Sequence, residues 1–220
     1  MANIILDFDS TISSVELLPE IFKVALQGNK KADEIQKQIE QITSEGMSGE
    51  ISFPESLKKR IDLLPLTKDH IKLMVKHISV HISPSFKECV SQLAEHNLHI
   101  ISGAFSDVIV PLMAEYGVFP YQIHANKFTF DDEDKFTGVD VNSLLTQENG
   151  KVKVVKSLNL NGKTVVIGDG FTDLQIKERG LAEKFIYYAE HVQRENVMSR
   201  ADFVAKDFHN VLQIMQQLDL

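Results

Sequence analysis

Four short apolar runs, at residues 3–6, 98–101, 164–167 and 185–189, restrict the fold of this chain more than any other feature. Each has the length of a strand buried on both faces, and the stretches between the later ones, such as 86–96 and 106–116, repeat apolar residues at helical spacing. Such alternation predicts an α/β fold with a Rossmann-like parallel sheet flanked by helices. In a parallel sheet, side chains beyond the carboxyl ends of the strands converge on one crevice. Asp7, Ser102 and Asp169 follow three of these runs, so they are expected to meet.

Residues 13–77 break the alternation. Leu17, Ile21, Phe22, Ala25 and Leu26 recur at helical spacing, as do Ile35, Ile39 and Ile42, and no strand pattern interrupts them. A helical insert is therefore expected at 13–77, with the main body formed by 1–12 and 78–220. Residues 46–50 read as a turn between helices and 53–64 as the next helix, with Pro84 restarting the body. The segment 128–138, acidic in its middle and aromatic at its flanks, reads as a β-hairpin or surface flap with solvated acids.

With 220 residues, 43% hydrophobic and 25% charged, the chain can bury a sizeable core. The net charge of −8 and the scattered Lys and Arg argue against nucleic acid or an anionic membrane surface as partner. No segment approaches the roughly 20 apolar residues needed to span a bilayer, and the acid-interrupted start is no signal peptide. Cys89 is the only cysteine, which excludes an internal disulfide and suits a reducing, cytoplasmic setting. Cys89 itself reads as a small buried apolar residue.

Asp7 and Asp9 are two apart, so in an extended segment they point the same way and can divide the work of nucleophile and general acid/base. Taken alone, such a pair serves as readily as a helix cap. A second acidic group, Asp169 and Asp173 within Gly168-Asp169-Gly170-Phe171-Thr172-Asp173, sits at a strand-to-helix corner whose glycines allow a tight turn. Carboxylates repel a phosphate dianion, so the combination calls for a hard divalent cation such as Mg²⁺. Ser102 and Gly103 offer a hydroxyl and an unobstructed N–H to a phosphoryl oxygen. Lys151 would neutralise charge on that group, with Lys153 and Lys156 as competitors for the role.

The set Asp7-Phe8-Asp9-Ser10-Thr11, Ser102-Gly103, Lys151 and Gly168-Asp169-Gly170-x-Thr172-Asp173 resembles the haloacid-dehalogenase-like phosphatases in all their motifs, in order along the chain, and within them most resembles the phosphoserine phosphatase family. The resemblance implies an aspartyl-phosphate on Asp7, proton transfer by Asp9, and Mg²⁺ held by Asp7, Asp9 and Asp169 with Asp173 in support. It also implies that Ser102, Gly103, Lys151 and Thr172 surround the phosphoryl group. The insert would be a cap in which Glu16 faces the substrate ammonium, Arg60 forks onto its carboxylate, and Met47 and Phe53 line the same site. Ala104 departs from the family, which has a second glycine there, and a methyl group could crowd the phosphoryl loop. So does Ser13-Ser14-Val15, where many relatives carry a polar or charged residue beside the glutamate.

The expected activity is thus hydrolysis of a small phosphate monoester, O-phosphoserine, by a monomer or homodimer with no amino-terminal regulatory domain. Two alternatives are a related phosphatase or phosphotransferase acting on another small phosphorylated amine or amino acid, and a catalytically silent metabolite-binding module.

Overall fold

The computed structural model describes residues 1–48 and 50–219, and the side chains of all these except 46–48 and 53. The first apolar run forms β1 (Asn3–Leu6), buried along its whole length. Ile4 and Leu6 pack into one core and Ile5 into a second core across the sheet, as the two-residue period of a strand requires. After β1 the chain makes one wide turn over residues 8–12, closed by the Ser13 N–H donating to the Phe8 carbonyl at 2.9 Å. Inside this turn Ser10 adopts φ 53°, a left-handed conformation unusual for a side chain other than glycine. Such wide turns occur where a functional side chain must be re-aimed.

Four consecutive helices follow: α1 (Leu17–Ala25), α2 (Ala32–Ser48), α3 (Phe53–Asp62) and α4 (Lys68–Ser79). Caps start the last two: the Ser52 hydroxyl accepts from the Glu55 N–H, and Thr67 and His70 cap each other reciprocally. The expected turn at 46–50 is shorter than anticipated, because α2 continues to Ser48; Gly49 lies outside the described residues. The connections into and out of these helices run side by side. Ser14 N–H donates to the His81 carbonyl and Ser83 N–H to the Ile12 carbonyl, each at 2.9 Å, flanking an antiparallel bridge between Ser13 and Ile82.

Pro84 opens α5 (Pro84–Leu93), where its missing N–H costs nothing. The body then continues through β2 (Asn97–Phe105), α6 (Ser106–Ala114), β3 (Ile123–Asn126), the hairpin β4 (Phe128–Phe130) and β5 (Phe136–Val139), α7 (Gly150–Ser157), β6 (Thr164–Gly168), α8 (Phe171–Glu178), β7 (Lys184–Tyr188), α9 (Glu195–Met198), β8 (Phe203–Ala205) and α10 (Phe208–Gln217). Six of the strands form one sheet in the order β3-β2-β1-β6-β7-β8 with every pairing parallel. The order reverses between β1 and β6. In open α/β sheets that reversal opens the crevice in which ligands bind. No helix among the described residues is long and apolar enough to cross a membrane.

Helices α5, α6 and α10 cover one face with the first core, which extends without a break into α1, α3 and α4 through Leu17, Ile21, Ile61, Met74 and Ile78. Phe86, fully buried, meets Tyr116 and Phe208 edge-on there; truncating such a residue typically costs ~3–5 kcal/mol. Helices α7 and α8 cover the other face. Cys89 is buried, as expected. The acids of the hairpin are not all merely solvated: Asp134 at its turn pairs with Lys68 at the start of α4.

Between β7 and β8, burial opposes ionisation of Asp202, but the Phe185 N–H at 2.9 Å and the ammoniums of Lys177 and Lys184 outweigh it and hold the carboxyl below the ordinary aspartate value. A carboxyl depressed in the folded state adds stability that is complete above its unfolded value, near pH ~4, and is lost as pH falls through the folded value. Asp202→Asn is therefore expected to lower the melting temperature near neutral pH and to differ little from the parent near pH ~2. Thermal melts across that range check this.

Candidate active site

The reversal point gathers the expected residues. Asp7, the first residue past β1, is buried, and one carboxylate oxygen accepts the Phe8 N–H at 2.7 Å. Its other oxygen lies 2.7 Å from the Lys151 ammonium, which also donates to Asp173 at 2.8 Å. Lys151, on the first turn of α7, is buried at 8% exposure, whereas Lys153 and Lys156 point to solvent, which separates the three competing lysines. Burial alone would discharge Lys151, but Asp173 and Asp7 outweigh it and raise its pKa. Burial and the nearby Asp7 push Asp173 up to about 7, against the lowering pull of Lys151.

Asp7, Asp169 and Asp173 each present a carboxylate oxygen within 4.8 Å of the others. Three buried oxygen donors so close together suit a hard divalent cation. Asp169 also accepts the Thr11 hydroxyl at 3.4 Å and pairs with Arg194. Close packing at the corner favours Gly168, since a Cβ there would lie 2.4 Å from the Asp173 carboxyl carbon.

Asp9 falls inside the wide turn after β1, where its own backbone stays extended at φ −65° and ψ 136°. Its Oδ1 accepts the Leu17 N–H at 3.0 Å, at the start of α1. Burial, then the Glu16 and Asp7 carboxylates, raise its pKa well above the usual aspartate value. Glu16 accepts the Ser10 hydroxyl at 2.8 Å and approaches Arg194 at 3.4 Å.

Asp7, Asp9, Glu16, Ser102, Gly103, Lys151, Asp169, Thr172 and Arg194 all line one cavity of ≈ 530 Å³. Ser102 is not at the end of β2, which continues to Phe105. It does lie beyond Ile100, the last residue of β2 paired with β1, where the ladder to β3 also loses register. The Ser102 hydroxyl accepts the Ala104 N–H at 3.1 Å. The methyl of Ala104 is buried in the first core and does not line the cavity, so it leaves the loop uncrowded.

Arg60 is the exception. It is half-buried, its Nε donates to the Ser56 carbonyl at 3.3 Å, and it lines a separate cleft with Phe22, Ile39 and Thr43 within the helical insert. Burial lowers its pKa. The guanidinium that reaches the cavity instead is Arg194, which sequence reasoning did not single out. It lies on the loop after β7, its N–H donating to the Tyr187 hydroxyl at 2.7 Å. The side chains of Met47 and Phe53 lie outside the described ones.

A family model for haloacid dehalogenase-like hydrolases matches residues 4–178. A chloroplastic phosphoserine phosphatase of Arabidopsis thaliana is 29% identical, over 94% of this chain and 69% of its own. The phosphoserine phosphatase of Homo sapiens is 26% identical, over 94% of this chain and 89% of its own. The crystal structure of a phosphoserine phosphohydrolase-like protein from Francisella tularensis superposes with a TM-score of 0.81 at 33% identity, covering 98% of this chain and all of the other. The chain belongs to the haloacid dehalogenase-like hydrolases. Its parallel sheet with flanking helices is the fold expected from the apolar runs.

The packing at the corner gives a contrast in stability. Gly168→Ala forces Asp173 aside and is expected to cost ~1–3 kcal/mol, whereas Gly103→Ala, with nothing within 4 Å of the added Cβ, should fold almost as well as the parent. Urea unfolding of the two variants measures the difference.

Proposed function

We propose that this chain is a phosphoserine phosphatase that hydrolyses O-phosphoserine to serine and phosphate with Mg²⁺. The observation that carries this reading is the convergence in one cavity of Asp7, Asp9 and Lys151, the last held by Asp173 behind it, with a carboxylate and a guanidinium, Glu16 and Arg194. The names of the Arabidopsis and human relatives support the substrate.

A carboxylate oxygen of Asp7 attacks phosphorus, and the bond to the serine oxygen breaks with its electron pair leaving on that oxygen. Asp9 supplies the proton to the departing oxygen. It then takes a proton from water as the water oxygen attacks the aspartyl-phosphate, which returns Asp7 to its starting state. Lys151, fixed between Asp7 and Asp173, balances the phosphoryl charge, and Ser102 and Gly103 hold its oxygens. Asp7, Asp169 and Asp173, with the Asp9 backbone, would hold Mg²⁺, which when bound withdraws charge from the phosphoryl oxygens.

Beyond the phosphoryl group, Glu16 suits the ammonium and Arg194 the carboxylate of an amino acid. In this arrangement Arg194 takes the part that the family resemblance gives to Arg60. Residues 13–77 act as a cap over the body formed by 1–12 and 78–220, with the paired connections at Ser13 and Ile82 as the hinge. A cytoplasmic setting and a monomeric or homodimeric state complete the reading. A silent binding module is disfavoured because Asp7, Asp9, Ser102, Gly103, Lys151 and Asp169 all line the cavity.

Steady-state assays over a panel of phosphorylated metabolites test the proposal. Phosphoserine should be preferred, chelation of divalent cations should abolish turnover, and Asp7→Asn should lower kcat by at least ~10³-fold. Arg194→Ala should raise KM for phosphoserine more than Arg60→Ala does. A preference for phosphosugars, or turnover that survives Asp7→Asn, overturns the reading.

A further inference from the structure

The cavity has more wall than the chemistry derived above uses. At ≈ 530 Å³ it falls within the range of roughly 300–1,000 Å³ that encloses drug-sized ligands. The groups suited to an amino acid, Glu16 and Arg194, account for only one part of its wall. Another part is built from Leu145, Gln147, Glu148, Asn149, Phe171 and Gln175, and none of these is used in the chemistry derived above.

The chemistry of this second lobe is distinct. Phe171, the first residue of α8, is a large apolar side chain left 47% exposed while lining the cavity. Its ring is held on one side by the Arg200 guanidinium, 5.6 Å from the centroid, and Arg200 is in turn paired with Glu178. The ring therefore has a cationic partner on one side. Leu145 adds an apolar surface anchored in the second core. The Gln175 amide donates to Asn149 at 3.1 Å, which ties the loop at 147–149 to α8, and Lys153 donates to the Gln147 amide oxygen at 2.7 Å, leaving the Gln147 NH₂ group for a ligand. Glu148 has no hydrogen bond or ion pair among the described residues, so its carboxylate repels anionic groups in this lobe.

We propose that the lobe bounded by Phe171, Leu145 and the 147–149 loop is a leaving-group subsite. It admits phosphate monoesters whose leaving group carries a planar apolar body, neutral or cationic at its far end. The inference rests on the phosphoryl chemistry assigned above to Asp7 and widens the substrate class from phosphoserine to aryl and similar phosphates. The step is unchanged: the Asp7 oxygen–phosphorus bond forms, the bond to the leaving oxygen breaks, and that oxygen departs with the electron pair. A ring stacked on Phe171 would position the leaving oxygen and contribute binding that phosphoserine cannot use.

Calorimetric titration of the Mg²⁺-loaded protein with phenylphosphonate and with methylphosphonate, which cannot be hydrolysed, tests the subsite without turnover. The wild type should bind phenylphosphonate about five- to tenfold more tightly. Phe171→Ala should bring the ratio close to one, and Phe171→Tyr, which keeps the platform, should restore it. In parallel, Phe171→Ala should lower kcat/KM for p-nitrophenyl phosphate several-fold more than for phosphoserine. No preference between the phosphonates in the wild type, or a preference that survives Phe171→Ala, overturns the subsite. If phosphoserine is not turned over while the preference holds and disappears in Phe171→Ala, the subsite stands and the phosphoserine reading falls. Failure of both phosphonates to bind the wild type overturns the phosphoryl site and the subsite together.

Discussion

Everything in the site depends on one buried ammonium between two buried carboxylates. Lys151 lies 2.7 Å from Asp7 and 2.8 Å from Asp173, and Asp169 is close enough to share an ion with both. Three carboxylates this close repel one another, and removing them from water is costly. The sheet concentrates that cost at its reversal point by ending β1 and β6 side by side. The absence of a side chain at Gly168 leaves the room into which Asp173 packs. The charge of Lys151 and the Asp169–Arg194 pair offset part of the repulsion. The site is in this sense assembled by the topology and kept together by its cations.

The two kinds of wall around the cavity have different structural origins. The phosphoryl end is made of residues at strand ends and first helical turns, held by backbone hydrogen bonds within the sheet framework. Glu16 comes from the connection entering the helical insert, while Arg194 comes from a loop at the opposite end of the chain and is aligned through the Tyr187 hydroxyl. In the proposed mechanism, chemistry and recognition therefore reside on different parts of the fold, as is common where loops on a fixed scaffold carry specificity.

The legibility of the sequence follows the same division. Buried strands flanked by helices leave continuous apolar runs, so β1, β2, β6 and β7 could be read directly. The edge strands β3 and β8, with 4 and 3 residues, are too short to leave such a run. Asp7, Asp9, Asp169, Asp173 and Lys151 were visible because strand-end acids and a nearby lysine form a pattern in order along the chain. Arg194 was not: it follows β7 in a loop with no glycine or repeated acid to mark it, and only the fold brings it against Glu16. Arg60 shows the converse. Its position in the sequence matches a family pattern, but its helix directs the guanidinium into a cleft of the insert, and linear spacing cannot report which way a helix is turned. Ala104 was similarly ambiguous until its methyl was found in the core.

The contact between Asp9 and α1 has a consequence of its own. The Leu17 N–H that binds the Asp9 carboxylate belongs to the first residue of α1, and the neighbouring Glu16 is bound by Ser10 from the same turn as Asp9. The acid proposed to give and take a proton is thus tied to the helices proposed to enclose the substrate. A hydrogen bond from an N–H favours the charged carboxylate. Burial and the Glu16 carboxylate at the start of α1 raise the Asp9 pKa more than the Leu17 N–H lowers it, so lifting α1 away would loosen the hold of Asp9 on its proton and reseating α1 would strengthen it. In the proposed mechanism, enclosure of the substrate and the acidity of Asp9 would then be a single movement.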